Sequence, residues 1–293
     1  NSLAIDIYEP GSTFKIFTVA ANIEEYLKGN KNAFSPTHIF PSGRTRVVDG
    51  RIIKCWTTHA GGKHCGLNLS GALDHSCNPI FVDIALSLGK ETFYKYINAF
   101  NFGKVTGIDF PGEGTGMVVP ENYSRNGDLA RIGFGQSIAV SPLQLAAAAA
   151  AAVNGGKYYQ PYLVSEIFSP QGITAQRNYP NLINRPISEQ TSMQLALMLE
   201  SVVENGGGRN TYIEGYRVAG KTGTAQKFEN GRIAQGKYVS SFVGFFPAHK
   251  PQYLCLVIID EPQGAHYGSI VAAPCAELIF EQIIQYKNIM PFA

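Results

Sequence analysis

Apolar residues recur along this chain in blocks, and the spacing inside each block separates helices from strands. From Ser12 to Leu27 no glycine or proline intervenes, and Phe14, Ile16, Phe17, Val19, Ala20, Ala21, Ile23 and Leu27 nearly surround a helix. That pattern predicts a helix buried on most sides. Pro10-Gly11 ahead of it is a turn signal, which puts Ser12 at the helix N-terminus. A short helix-like run covers Leu69 to His75. Leu145 to Val153, with seven consecutive alanines, predicts a helix packed where larger side chains do not fit. Ile187 to Asn205 is amphipathic, with Ile187 and Ser188 as its start and Gly206-Gly207-Gly208 as its stop. Gly268 to Asn288 reads as a long last helix with Val271, Leu278, Ile279 and Ile283 available to a sheet. The segment Tyr216 to Gln226 and the apolar runs Val239 to Phe246 and Tyr253 to Ile259 read as three antiparallel strands, the runs ending near Pro247 and Pro262. Phe34 to Asn68 shows neither period and reads as irregular.

The first half, about 12–152, is thus mostly helical, and the second, about 153–293, is α/β, without a disordered linker between them. This helix-then-sheet order gives an α+β chain. Its 293 residues, 45% hydrophobic, suffice for one large core or two closely packed lobes. A net charge of +2 with no basic run gives no sign of nucleic-acid binding. No apolar stretch reaches the length of a membrane span.

Three short motifs carry chemistry: Ser12-Thr13-Phe14-Lys15, Ser76-Cys77-Asn78 and Lys221-Thr222-Gly223-Thr224. Serine and lysine three apart share a helical face. A serine hydroxyl needs a base to become a nucleophile, and Lys15 can be that base if burial and nearby positive charge lower its pKa. Ser76 and Asn78 bring a hydroxyl and an amide to one point. Lys221 offers a charge for a carboxylate, Thr222 and Thr224 offer hydroxyls, and Gly223 would let a substrate backbone approach as an added strand. Each motif alone has an ordinary structural explanation: a helix N-cap, a helix end closed by Asn78-Pro79, a strand with a glycine bulge.

In combination they resemble the penicillin-binding protein and serine β-lactamase superfamily. The flanks Tyr8 to Lys15, Gly133 to Gln144 and Ala219 to Gln226 are similar to class B penicillin-binding proteins, the monofunctional transpeptidases of cell division and sporulation. The resemblance covers essentially the whole chain. It implies the serine β-lactamase/DD-peptidase-like fold, an antiparallel sheet flanked by helices beside a mostly helical lobe. It implies that Ser12 attacks the D-Ala-D-Ala bond of a peptidoglycan stem peptide, Lys15 takes its proton and Ser76 relays it. Asn78 would hold the substrate amide, and Lys221, Thr222 and Thr224 the terminal carboxylate. The backbone N–H groups of Ser12 and Thr224 would form the oxyanion hole, and β-lactams would acylate Ser12. The family's strands, pedestal and transmembrane helix ahead of this point imply a membrane-anchored protein on the extracytoplasmic face, whose further strands pair near Gly223 and Tyr253. A glycosyltransferase and other cell-wall assembly proteins are the implied partners. The rival functions are a β-lactamase, a penicillin-sensing receptor domain and a non-catalytic scaffold. No glutamate motif for rapid deacylation is evident, and every named catalytic side chain is present.

One stretch departs from the family. Three of the five cysteines fall between Cys55 and Cys77, with His59, His64 and His75 among them. The family needs no metal for its chemistry, but this density suggests a structural Zn²⁺ held by Cys55, His59, Cys65 and Cys77, with His64, His75 and Asp74 as alternatives. A Cys55–Cys65 disulfide and simple burial of the thiols are the competing readings. Cys255 and Cys275 read as core residues.

Overall fold

The computed structural model describes residues 1–56, 66–229 and 232–292. In the first half, helices α1 (Ser2–Ile5), α2 (Lys15–Leu27), α3 (Leu69–Asp74), α4 (Asn78–Leu88), α5 (Lys90–Ala99), α6 (Asn126–Ile132) and α7 (Pro142–Val153) alternate with two small ribbons. These ribbons pair β1 (Thr45–Val48) with β2 (Arg51–Lys54), and β3 (Met117–Val118) with β4 (Ile138–Ala139). The second half opens with β5 (Tyr158–Gln160), β6 (Glu166–Phe168), β7 (Thr174–Arg177) and β8 (Asn181–Asn184), in which β6–β7 is nested inside the β5–β8 pair. Helix α8 (Glu189–Asn205) leads to the main sheet, β9 (Ala219–Glu229), β10 (Arg232–Phe246) and β11 (Tyr253–Asp260), and then to α9 (Gly268–Val271) and α10 (Ala273–Lys287).

The main sheet is antiparallel in the order β11-β10-β9. Alternation along β10 sends Phe242 and Phe246 to one face, against Phe280 and Ala276 of α10. It sends Val243 and Phe245 to the other, which joins the large helical core. Helix α2 runs through that core: Phe14, Phe17, Val19, Ala20, Ala21 and Ile23 are all buried, and α4, α5, α7 and α8 pack around it. The alanines of α7 allow the close approach. Ser141 caps α7 by accepting from Gln144 N, and Gln144 Oε1 accepts from Ser141 N in return.

Several sequence expectations change here. The irregular stretch holds the β1–β2 hairpin, whose turn residues Asp49 and Gly50 both have positive φ, as a tight hairpin requires. Asn78-Pro79 does not close a helix but opens α4, where a proline in the first turn loses no hydrogen bond. The last helix breaks at Ala272, ahead of Pro274, and its buried stripe is Ala273, Ala276, Phe280 and Ile284. That periodicity turns Leu278 and Ile279 outward, to 58% and 40% exposure, and only Ile283 of the expected late contacts packs toward the sheet. Cys275 is exposed and Cys255 half-buried, so neither is a full core residue.

Candidate active site

The Ser12 hydroxyl sits on a short 3₁₀ turn, Gly11–Phe14, that feeds α2. Thr13 Oγ1 donates to Pro10 O (2.8 Å) and steadies the turn. Gly11 has φ +54° and donates its N–H to Gly135 O (2.9 Å). A Cβ on Gly135 would run into Gly11 O, so the glycine lets two loops lie back to back. Glu9 Oε1 accepts from Ser137 N (2.8 Å) and joins the same loops a second time. The Gly133 to Gln144 segment therefore supports the nucleophile turn from behind.

One residue after that turn, Lys15 is fully buried and its Nζ meets four oxygens: Ser12 Oγ (3.0 Å), Ser76 Oγ (2.9 Å), Ser76 O (2.9 Å) and Asn78 Oδ1 (2.7 Å). Ser76 reaches it from the turn between α3 and α4. Its φ of +52° is a strained conformation for serine, and it presents both hydroxyl and carbonyl to the lysine. Asn78 is fixed between Lys15 and Lys54 O, to which its Nδ2 donates at 3.4 Å. Burial pushes the Lys15 ammonium well below its ordinary pKa, and the nearby Lys221 adds to the fall.

Strand β9 supplies the opposite wall. It is an outer strand of the main sheet, and Lys221, Thr222, Gly223 and Thr224 all border the same cleft of about 420 Å³ as Ser12, Ser76 and Asn78. Thr224 Oγ1 accepts from Gly268 N (3.0 Å), which leaves its proton for a ligand. Gly223 is required by packing as well as by any substrate: a Cβ there would meet Ser241 Oγ, Thr13 Cγ2 and Pro10 O. Burial lowers Lys221 to about 8, against an opposing pull from Asp74.

The structure thus brings the eight predicted site residues of the three motifs together. The metal set fares differently. Among the described residues no three Cys, His, Asp or Glu side chains gather as a metal-ligating group. Cys55 and Cys77 do meet, and their hydrogen bond, with burial, pushes the Cys77 thiol up. Asp74 instead takes Ser201 Oγ at 3.0 Å, and the part of His75 engaged by Trp56 Nε1 is its backbone carbonyl (3.1 Å). The expected ligands His59, His64 and Cys65, and with them the Cys55–Cys65 disulfide, lie outside the described residues. The zinc expectation is unsupported among the described residues, because no third ligating side chain joins the two thiols there.

The motifs did not disclose the aromatic rim of the cleft. Tyr238 stacks on His266 (ring centroids 4.0 Å apart), His266 lies against Tyr267 (4.4 Å), and Tyr267 faces Trp56 (6.2 Å). A usable signal was His266-Tyr267 in the polar loop after β11, beside a glycine that donates to Thr224.

With this geometry in view, the comparisons with known proteins agree. Residues 1–285 match the penicillin binding protein transpeptidase domain family. The chain is 41% identical over 286 residues to stage V sporulation protein D of Bacillus subtilis, covering 97% of this chain and 43% of that protein. It is 30% identical over 296 residues to the peptidoglycan D,D-transpeptidase FtsI of Escherichia coli K12, covering 100% of this chain and 46% of that one. The chain therefore spans under half the length of these two relatives. Among solved structures, penicillin-binding protein 3 of Mycobacterium tuberculosis complexed with aztreonam superimposes with a TM-score of 0.90 at 27% identity, over 100% of this chain and 65% of that one. The transpeptidase domain of Burkholderia pseudomallei penicillin-binding protein 3 gives 0.85 at 28% identity, over 99% and 83%.

Proposed function

The chain belongs to the penicillin-binding protein transpeptidase family, and from that premise we propose that it cross-links peptidoglycan as a serine DD-transpeptidase. The observation that carries the reading is Lys15 Nζ, held among Ser12 Oγ, Ser76 Oγ and Asn78 Oδ1 at 2.7–3.0 Å on a cleft walled by Lys221 to Thr224.

The residues divide the reaction as follows. Lys15, uncharged, takes the Ser12 proton as Oγ bonds to the carbonyl carbon of the penultimate D-Ala. The negative charge gathers on the carbonyl oxygen, where the backbone N–H groups of Ser12 and Thr224 receive it. The C–N bond then breaks. The proton held by Lys15 passes through Ser76 Oγ to the departing D-Ala nitrogen, leaving an ester on Ser12. An amine of a second stem peptide attacks that ester, gives up a proton to the Lys15–Ser76 pair and restores the Ser12 hydroxyl. Asn78 holds the amide of the donor stem. Lys221, Thr222 and Thr224 hold its terminal carboxylate, and Gly223 lets the donor lie along β9 as an added strand.

β-Lactams fit the same scheme as acylating agents, and a glycosyltransferase that supplies nascent glycan is the expected partner on the extracytoplasmic face of the membrane. Among the described residues no helix is long and apolar enough to cross a membrane. The test is to incubate wild type and Ser12→Ala with a D-Ala-D-Ala stem-peptide donor and an amine acceptor, and to follow cross-linked product by mass spectrometry. Product from wild type alone supports the reading. Product from both, or hydrolysis without transfer, contradicts it.

A further inference from the structure

Asp74, the last residue of α3, lies two positions before Ser76 and borders the catalytic cleft. Its backbone carbonyl accepts from Gly207 N (3.3 Å), and its Oδ2 accepts from Ser201 Oγ (3.0 Å). Its other oxygen, Oδ1, is buried and has no hydrogen-bond partner among the described residues. On the same cleft Lys221 is 1% exposed. The one hydrogen bond of its Nζ among the described residues is a 3.4 Å contact with Thr222 O. A buried ammonium with one long bond and a buried carboxylate oxygen with none are both costly in isolation. Facing one cleft, their opposite charges offset part of that cost.

The arrangement matters because the site contains two buried lysines, and the charge of Lys221 helps to lower Lys15. The chemistry needs them in opposite states. Lys15 must be uncharged to accept a proton, and Lys221 must be charged to hold a carboxylate. The partners of Lys15 are carbonyl, amide and hydroxyl oxygens, none carrying a full charge. Lys221 shares the cleft with the Asp74 carboxyl. We propose that Asp74 is a positioning residue that sets the charge pattern of the site: its carboxylate keeps Lys221 cationic and so leaves Lys15 as the free base. This rests on the transpeptidase reading and extends it to a residue outside the three motifs.

The remaining titratable groups do not replace it. Glu200, on the helix behind β9, is bound to Arg217 by two 2.6 Å hydrogen bonds. Glu9 accepts from Ser137 N on the far side of the nucleophile turn. Cys55 and Cys77 hydrogen-bond to each other behind Lys15, which with burial holds Cys77 neutral. His75, His266, Tyr238 and Tyr267 border the cleft without a carboxylate to offer. Burial pulls Lys221 down to about 8, and Asp74 works against that fall.

The test is the pH profile of Ser12 acylation by a fluorescent penicillin, read as a rate constant on the folded protein. Wild type should lose rate as pH rises through about 8, as Lys221 gives up its proton. In Asp74→Asn that alkaline limb should move to lower pH by about one unit, with up to roughly tenfold slower acylation at pH 8. Asp74→Glu should restore the limb, and Ser201→Ala, which keeps the charge, should leave it in place. An alkaline limb in Asp74→Asn that coincides with wild type overturns the proposal, whether or not the plateau falls, because a purely structural defect lowers the rate at every pH. If Asp74→Asn does not fold, Asp74→Ala reads the same limb. Wild type that forms no Ser12 adduct overturns the underlying reading instead.

Discussion

Lys15 Nζ has four oxygen neighbours and, as an uncharged amine, two hydrogens and one lone pair. Ser76 O and Asn78 Oδ1 can only accept, so they take the two hydrogens. The lone pair is left for a hydroxyl, and Ser12 Oγ stands 3.0 Å away. A protonated Lys15 would have no lone pair to offer, so acylation should rise with pH as Lys15 sheds its proton, then fall as Lys221 does. The rising limb should lie well below the ordinary lysine range, because burial and Lys221 both lower Lys15. Lys15→Ala should slow acylation by about 10²–10⁴-fold, measured as adduct formation over time. At this scale the sequence was informative where a residue's role depends on its local motif, as for Ser12 with Lys15 or Ser76 with Asn78. It misled where the role depends on what the fold brings opposite. Asp74 read as a spare metal ligand, and only the α3–α8 packing shows it beside Ser201 and on the cleft with Lys221.

Among elements, the join between α2 and α8 is the one most exposed to test. Glu24 of α2 accepts from Ser188 N (2.8 Å), Ser188 Oγ (2.7 Å) and Thr191 Oγ1 (2.6 Å) at the N-terminus of α8, and pairs with Lys28 (2.9 Å). Burial alone would raise this carboxyl, but those donors outweigh it and hold Glu24 at about 2. A depressed folded pKa means stability that is present above the ordinary value of 4.5 and lost as pH falls from there toward 2. Melting temperature should therefore drop more steeply with acidification in wild type than in Glu24→Gln, and Glu24→Ala should cost about 2 kcal/mol at pH 7. Identical acid profiles for wild type and Glu24→Gln would refute the role. At the nucleophile turn, Gly135→Ala should cut acylation sharply, since its methyl would collide with Gly11 O. Elements with a long apolar period, α2, α8 and the core of β10, were legible in the sequence. The β1–β2 hairpin was missed in the sequence although Asp49-Gly50 stands between Val47-Val48 and Ile52-Ile53, because its outward pair Val47 and Ile52 is apolar and exposed and so hides the alternation. The first part of β10 is polar and projects beyond the core, so no burial pattern announced it.

For the whole molecule, the sheet divides the buried residues into a large helical core and a smaller cluster under α10, and β10 belongs to both. Phe280→Ala, at the centre of the smaller cluster, should destabilise by about 3–5 kcal/mol. Urea unfolding checks this, and a loss near zero would mean that α10 contributes little. The cleft draws on residues from Gly11 to Ser269, segments remote in sequence and joined only by this fold. The three motifs foretold that meeting through their combined resemblance to the penicillin-binding protein and serine β-lactamase superfamily. They did not foretell the aromatic rim, whose rings come from separate loops with no shared period. In the proposed mechanism Ser12, activated by Lys15, forms an ester with its substrate. The most direct measurement is intact mass of wild type and Ser12→Ala after incubation with a penicillin, followed over hours. A single adduct of the mass of the whole penicillin, persistent in wild type and absent from Ser12→Ala, is the expected result. An equal adduct on Ser12→Ala would contradict the account, as would rapid turnover of the penicillin without an adduct.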